Sequence, residues 1–225
     1  MAQILLFLGV EAEALRSRDP FGAAVEELRG QIRRGEIAPG EPLVVLDLAR
    51  ALSFSATPVR EALAYLAGEG LIDGRREKLR GYATWPLVPG ELADLYRLHA
   101  GLTLHLLGEV ARRGAALAVS EDVGRLLDDG GDAASLAHAT ELLFNRIGAA
   151  GAGAMGRKTL RTLADRLHLA RLHEPAVLGD VAEEVRGLAG LEAGGVLLAQ
   201  AVRTYHRRRV AEVERLVAAA APGKS

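Results

Sequence analysis

Cysteine is absent from the 225 residues, which removes disulfides, zinc ribbons and thiol catalysis together. Aromatic residues make up only 4% of the chain and β-branched runs are few. With Leu and Ala dominant, this composition favours helices. No long hydrophobic run is present. The stretch ILLFLGV near the start is too short to span a bilayer, and it lacks the basic flank and small-residue cleavage site of a secretion signal. It reads as an element packed on the body of the protein, and the chain as cytoplasmic with no membrane partner. An excess of positive charge is missing too. The formal net charge is −1 and the pI about 6.6, so any dealings with nucleic acid must rest on a local patch. There is no phosphate-binding glycine loop, no G-x-S-x-G and no tight Asp/Glu/His spacing of a hydrolytic metal site. No enzyme is expected.

What is present is a globular composition, 49% hydrophobic and 25% charged, with length for one large or two modest domains. Asp19-Pro20 reads as an N-cap followed by proline at the first helical position. Phe21, Val25, Leu28 and Ile32 then recur at helical spacing, and Gly35 supplies the stop. EIAPGEPL reads as a turn. A short helix follows over VLDLARALS, with Leu46, Leu48, Ala49 and Leu52 as its apolar members, and a third ends at Gly68 or Gly70. LIDGRREKLRGYATWPL predicts a β-hairpin, with Asp73-Gly74 near the turn and GYATW as the return strand. Three helices and a hairpin in this order make a winged helix-turn-helix over residues 15–86, preceded by an extension over 1–14.

The third helix raises a question of its own. Thr57-Pro58 predicts a start near Thr57, with Ser55 as the alternative cap. Val59, Leu63 and Leu66 share the core face. Arg60 falls in the first turn, at the positive end of the helix dipole, where an exposed cation costs about 0.3–1 kcal/mol. A guanine edge or a phosphate supplies a reason for it, because a guanidinium fork bonds O6 and N7 bidentately. The Ser55 and Thr57 hydroxyls, with the open N–H groups of the first turn, suit a backbone phosphate. Arg75, Arg76, Lys78 and Arg80 outnumber Asp73 and Glu77 in the hairpin, a local excess that fits a phosphate track or the minor groove, and Gly81 lets the wing backbone come close. The plainer alternative for this run is a solvated turn.

IRRGEIAPGEPLVVLDLARALSFSATPVREALAYLAGEGLI, continued by RGYATWPL, resembles the N-terminal domain of the GntR family of transcription regulators. The likeness runs over the whole winged domain, and PGEPL, TPVREAL, GEGLI and RGY are its specific parts. It implies DNA contact through Ser55, Thr57 and Arg60, with the wing near Arg80 and Gly81; Arg50, Arg75, Arg76 and Lys78 complete the candidate set. One departure is that Val44-Val45 stands where the family usually has an acidic or polar pair.

WPLVPGE reads as a linker, set at 87–91. Beyond it the periodicity is helical, with segments expected near 89–113, 120–129, 132–149, 154–173, 178–192 and 194–220. Ser120 and Asp132 are N-cap candidates, and Gly114, Gly130 and Gly151 are stops. GAAGAGAMG reads as a flexible loop. The fold class is therefore mainly α, a winged helix-turn-helix followed by an antiparallel helical bundle over 92–221.

That bundle resembles the FCD ligand-binding domain of the FadR-like branch. ELADLYRLHAGL corresponds to its opening helix, with His99 and Thr103 where an arginine and a glutamate are usual. Many such domains hold a divalent metal through an aspartate, a histidine four residues on and two later histidines. The matching positions are Glu141, Asn145, Val185 and His206, a poor donor set, and no metal or other cofactor is expected. Glu141, Asn145 and His206 remain effector candidates. Arg97, Arg146 and Arg166 are candidates to meet a carboxylate effector. His138 is able to share a cavity face with Glu141, while His168, His173 and His206 have ordinary readings as surface or satisfied core histidines. The expectation is a homodimer on a pseudo-palindromic DNA operator, modulated by a small-molecule effector such as a carboxylate metabolite. The alternative is an effector-independent regulator or a protein-interaction module whose ligand site has decayed.

Overall fold

The computed structural model describes residues 19–76, 81–115, 117, 121–128, 132–191 and 196–221. The readings of ILLFLGV, Lys78, Arg80, Ser120 and Gly130 lie outside them, as do the side chains of Arg75 and Arg76. The chain divides into two compact units, Met1–Pro86 and Leu87–Ser225.

In the first unit α1 spans Pro20–Arg34. Asp19 caps it, its Oδ1 accepting from Gly22 N at 2.9 Å, and Gly35 ends it in the left-handed region at φ 73°. The strand β1 (Pro42–Leu43) leads into α2 (Val45–Leu52). Ser53, at φ 57°, turns the chain into α3 (Ala56–Glu69). The wing is β2 (Ile72–Arg76) and β3 (Gly81–Thr84). The three strands form an antiparallel sheet in the order β1-β3-β2.

Several expectations need correction here. The segment EIAPGEPL contains β1, which pairs Pro42 with Ala83 and Leu43 with Tyr82. Thr84 ties that segment down: its hydroxyl donates to Ala38 O at 2.6 Å and accepts from Glu41 N at 2.9 Å. Asp73-Gly74 lies within β2, Asp73 opposite Ala83, and the register shifts between Asp73 and Arg76; glycine there marks an irregular strand rather than the turn. Phe21 and Leu46 are exposed. Phe21 packs edge-on against Tyr65 at 5.7 Å, so the apolar periodicity does not carry it or Leu46 into the core, which takes Ala24 and, at its margin, Val45. The core itself gathers Val25, Leu28, Leu43, Leu52, Val59, Leu63, Leu66 and Ile72. Arg29 spans α1 and α3 to Glu69 at 2.6 Å.

The second unit has helices as its only regular elements among the described residues: α4 (Pro89–Arg113), α5 (Glu121–Asp128), α6 (Ala133–Gly151), α7 (Ala154–Leu178), α8 (Val181–Ala189), α9 (Val196–Ala211) and α10 (Val213–Ala220). Thus α4 begins inside the segment read as linker. Asp132 caps α6, accepting from Ser135 N, and Gly114 ends α4 in the left-handed region at φ 61°. Gly151 is not a stop but the last residue of α6. A Cβ on it would meet Leu106 O at 2.5 Å, so glycine permits the close approach of α4 and α6. Only Ala152 and Gly153 separate α6 from α7, so GAAGAGAMG is mostly helix. Further on, α7 runs through Pro175 to Leu178, and the last expected helix divides at Glu212.

Candidate nucleic-acid interface and a buried polar cluster

The start of α3 is set by Ser55, which takes the N-cap position without a side-chain capping bond. Counting from there, Pro58 is the third helical residue and Arg60 lies just past the first turn, so the dipole penalty argued from the sequence has largely faded. Pro58 carries no N–H, which leaves those of Ala56 and Thr57 as the open donors of this helix end. Pro58, Val59, Ala62, Leu63 and Leu66 are buried, while Ser55, Thr57 and Arg60 are exposed. Arg50, on α2, is also exposed, 3.5 Å from Asp47; a surface pair of that kind contributes little. Gly81 begins β3 and is half-buried. The four described cationic or hydroxylic candidates are thus presented to solvent by helices whose opposite faces form the core.

The helical unit places its candidates differently. Glu141 and His206 are buried, but Asn145 and Arg97 are exposed. Arg97 pairs with Asp94 at 2.8 Å. Asn145 falls on the outer face of α6 although it is one turn from Glu141, because Phe144 takes the inward position. His138 is exposed and shares no face with buried Glu141. Arg146 and Arg166 are only half-buried. The buried arginines are instead Arg171 and Arg209, which sequence reading missed. A signal was available. On α7, Leu160, Ala164, Leu167, His168, Arg171 and Glu174 are all buried, so polar residues continue an apolar stripe at spacings of three and four.

These groups form two linked sets. In the first, Arg209 Nη2 donates to Glu174 at 2.8 Å and its Nη1 to Glu184 at 2.7 Å. Its guanidinium lies 3.3 Å from the centroid of the Tyr205 ring, a cation–π contact. Tyr96 donates to the other Glu174 oxygen at 2.7 Å. Burial works to raise the Glu174 carboxyl, but the charge and hydrogen bond of Arg209, with Arg171 and Tyr96 behind them, hold it below the ordinary carboxylate range. Burial raises Tyr205 to about 12.

The second set is a directed chain. His206 Nδ1 is 2.7 Å from Val202 O, so it carries the proton and donates. His206 Nε2 then accepts from His99 Nδ1 at 2.7 Å, and His99 Nε2 faces Arg171 Nη2 at 3.4 Å. The partners fix both tautomers. Burial, followed by the charge of Arg171 and then His206, pushes His99 well below the usual histidine value. Burial is also the main cause lowering His206 to about 4. Both rings are neutral near pH 7. Glu141 accepts from His168 Nδ1 at 2.6 Å and stands 3.7 Å from Arg171 Nη1. Arg171 Nε and Nη1, Arg209 Nε, Thr103 Oγ1 and Tyr205 Oη are buried without a hydrogen-bond partner among the described residues. Such groups ordinarily cost about 1–3 kcal/mol each.

A divalent metal does not fit these residues. Asn145 points away, Val185 has no donor and is buried, and the Arg171 guanidinium already places positive charge beside Glu141 and His99. Among the described residues no three His, Cys, Asp or Glu side chains gather as a metal would require.

The model of bacterial regulatory proteins of the gntR family matches residues 22–78. An uncharacterised HTH-type transcriptional regulator of Agrobacterium vitis, from the TAR-I ttuE-ttuC' intergenic region, is 31% identical over 123 residues, 54% of this chain and 68% of that protein. The chain belongs to the GntR family. It is a GntR transcriptional regulator with a winged helix-turn-helix followed by a helical domain. Two solved structures share the fold. The E. coli protein McbR/YncC has a TM-score of 0.62 at 15% identity, over 87% of this chain and 97% of that one. A GntR transcriptional regulator from Rhodococcus sp. RHA1 has a TM-score of 0.65 at 19% identity, over 88% and 98%. No described helix of this GntR protein is long and apolar enough to cross a membrane.

Proposed function

We propose that this GntR regulator acts as a homodimer on a pseudo-palindromic operator, with α3 as its recognition helix and a small molecule in an FCD-like helical domain as its effector. The observation that carries the reading is Arg60, exposed on a helix whose opposite face is fully committed to the core, inside the segment that matches the family. In this reading Arg60 reads a base edge in the major groove. Ser55, Thr57 and the open N–H groups of Ala56 and Thr57 take a phosphate, and Arg50 and the wing residues Arg75, Arg76, Lys78, Arg80 and Gly81 add backbone contacts. Two copies read half-sites about one helical turn apart. The effector acts by biasing the arrangement of the paired winged domains, and cytoplasmic location follows from the role.

Selection of genomic fragments with the purified protein, followed by gel shifts at several salt concentrations, tests it. Binding weakens steeply with salt if phosphates are engaged; a protein-interaction role predicts no selected fragment at all. Arg60→Ala lowers affinity for the selected fragment by about 1–3 kcal/mol while leaving the melting curve in place. Wild-type affinity in that variant would remove α3 from the interface.

A further inference from the structure

Two arginines are fully buried in the helical unit, and their partners differ. Arg209 meets two carboxylates at 2.8 and 2.7 Å. Arg171 meets one at 3.7 Å, and that one, Glu141, is already taken by His168 at 2.6 Å. We infer that Arg171 is the anchor of a metal-free site for a small monocarboxylate with a short apolar body. This deepens the effector reading above and rests on it.

The chemistry of the orphaned atoms points to an acceptor. Arg171 Nε and Nη1 are N–H donors, and Thr103 Oγ1 and Tyr205 Oη are hydroxyls that donate equally well. Thr103 stands one turn from His99 on the same buried face of α4, and Tyr205 and His99 both lie against the Phe144 ring, at 5.2 and 4.7 Å. Arg171 is 5.9 Å from that ring. Two of the residues with unmet donors, Arg171 and Tyr205, therefore lie against one aromatic side chain. A guanidinium and a carboxylate match in shape and charge. A single under-paired guanidinium calls for a single negative charge, because a second would face Glu141 and Glu174. Phe144, with Leu106 and Leu107 of the same core cluster, suits an apolar body. The cation that would polarise and hold the carboxylate is built into the chain at Arg171, in place of a bound ion.

The test uses the full chain, with unfolding followed by circular dichroism. Probes are acetate, butyrate, hexanoate and benzoate, the neutral hexanamide, the dianion succinate, and Mn2+, Ni2+ and Zn2+ with and without EDTA. At least one monocarboxylate raises the melting temperature saturably, whereas hexanamide, succinate and the metals leave it in place. Arg171→Met weakens that ligand by roughly tenfold or more with helical content retained. If Arg171→Met does not fold, Thr103→Val carries the test: it deletes an orphaned hydroxyl without touching a charge, so it raises the melting temperature of the free protein and weakens the ligand several-fold. The site is overturned if no monocarboxylate stabilises the protein, if hexanamide matches hexanoate, or if stabilisation requires a metal that EDTA removes. Affinity for the selected DNA fragment, measured in the same samples, separates the two claims. A monocarboxylate that stabilises without altering DNA affinity sinks the effector reading and leaves the anion site standing. A ligand of another class that shifts DNA affinity, with no monocarboxylate bound, does the reverse.

Discussion

The winged unit and the helical unit distribute polarity in opposite ways. Among the described residues of the winged unit, Thr84 is the one buried polar side chain, and its bonds are made to the backbone of Ala38 and Glu41. The helical unit buries His99, Thr103, Thr140, Glu141, Asp165, His168, Arg171, Glu174, His206 and Arg209. The first unit is held mainly by apolar contact, with Arg29 and Glu69 paired at its margin, and keeps Arg50 and Arg60 outside, where a polyanion reaches them. The second has placed ionised groups where water does not screen them, so each depends on its partner. Stability of the second unit is therefore expected to depend more on pH than that of the first.

The comparison breaks most visibly at Glu174. Glu174→Ala leaves Arg209 with Glu184 alone and strands the Tyr96 hydroxyl. Removing one partner of a buried pair costs about 3–5 kcal/mol, and urea unfolding followed by helical circular dichroism reads that loss. Trp85 is the only tryptophan and belongs to the winged unit, its Nε1 donating to Gly70 O at 3.0 Å. Its fluorescence transition stays where it was. If both signals shift together by the same amount, the two units unfold as one and the contrast drawn above fails.

All six histidines lie at position 99 or beyond, so mild acid addresses one unit only. His99 and His206 have depressed values in the folded state. The unfolded chain therefore binds more protons than the folded one as the pH falls below the ordinary histidine value, and stability must fall with it. Present in full above about pH 6.5, the contribution of His206 is lost toward about 4, at up to about 1.4 kcal/mol per pH unit, and His99 adds a loss of the same sign. Glu174, also depressed, adds a loss of the same sign below the carboxylate range. The helical transition moves down between pH 6.5 and 5 while the Trp85 transition holds. His206→Asn, which cannot titrate, flattens the slope; an unchanged slope would mean that His206 is not depressed in the folded state.

How much of this the sequence disclosed follows the same division. Asp19, Gly35 and the apolar stripe of α1, the order of elements, and the exposure of Arg60 on α3 were all legible, because capping and one-sided burial leave local marks. The sheet was half legible. Pro42–Leu43 was read as turn because two residues carry no period, and only pairing with β3 makes them a strand. In the helical unit the helices were legible but the cluster was not. Glu141 and His206 were singled out as effector candidates through the family likeness. Arg97 and Asn145 were singled out beside them and proved exposed, since a side chain's direction within a bundle depends on which neighbours pack against the helix. Arg171 and Glu174 looked like solvated charges in HLARLHEP. Their burial is settled by partners on three other helices, distant in sequence.

The smallest expected effect sharpens the winged side of the comparison and uses the Val44-Val45 departure. Val44 is the N-cap of α2, extended at φ −89° and ψ 115°, and offers no side-chain bond to the helix. It is 51% exposed, so little apolar burial is lost on replacing it. Val44→Ser places a hydroxyl at the cap, and Asp47, three residues on, completes a capping-box pattern. The helix end gains about 0.5–2 kcal/mol, seen as a later Trp85 transition in urea, with the transition of the helical unit unmoved. The serine adds no charge, so affinity for the selected DNA fragment should hold to within a factor of about two unless position 44 touches the duplex. A stability gain with unchanged DNA affinity would mean that the missing polar pair costs this regulator only a helix cap. A stability gain with tighter DNA binding would mean that the family's polar residue at this point reads phosphate, and that this chain has given up one contact of its interface.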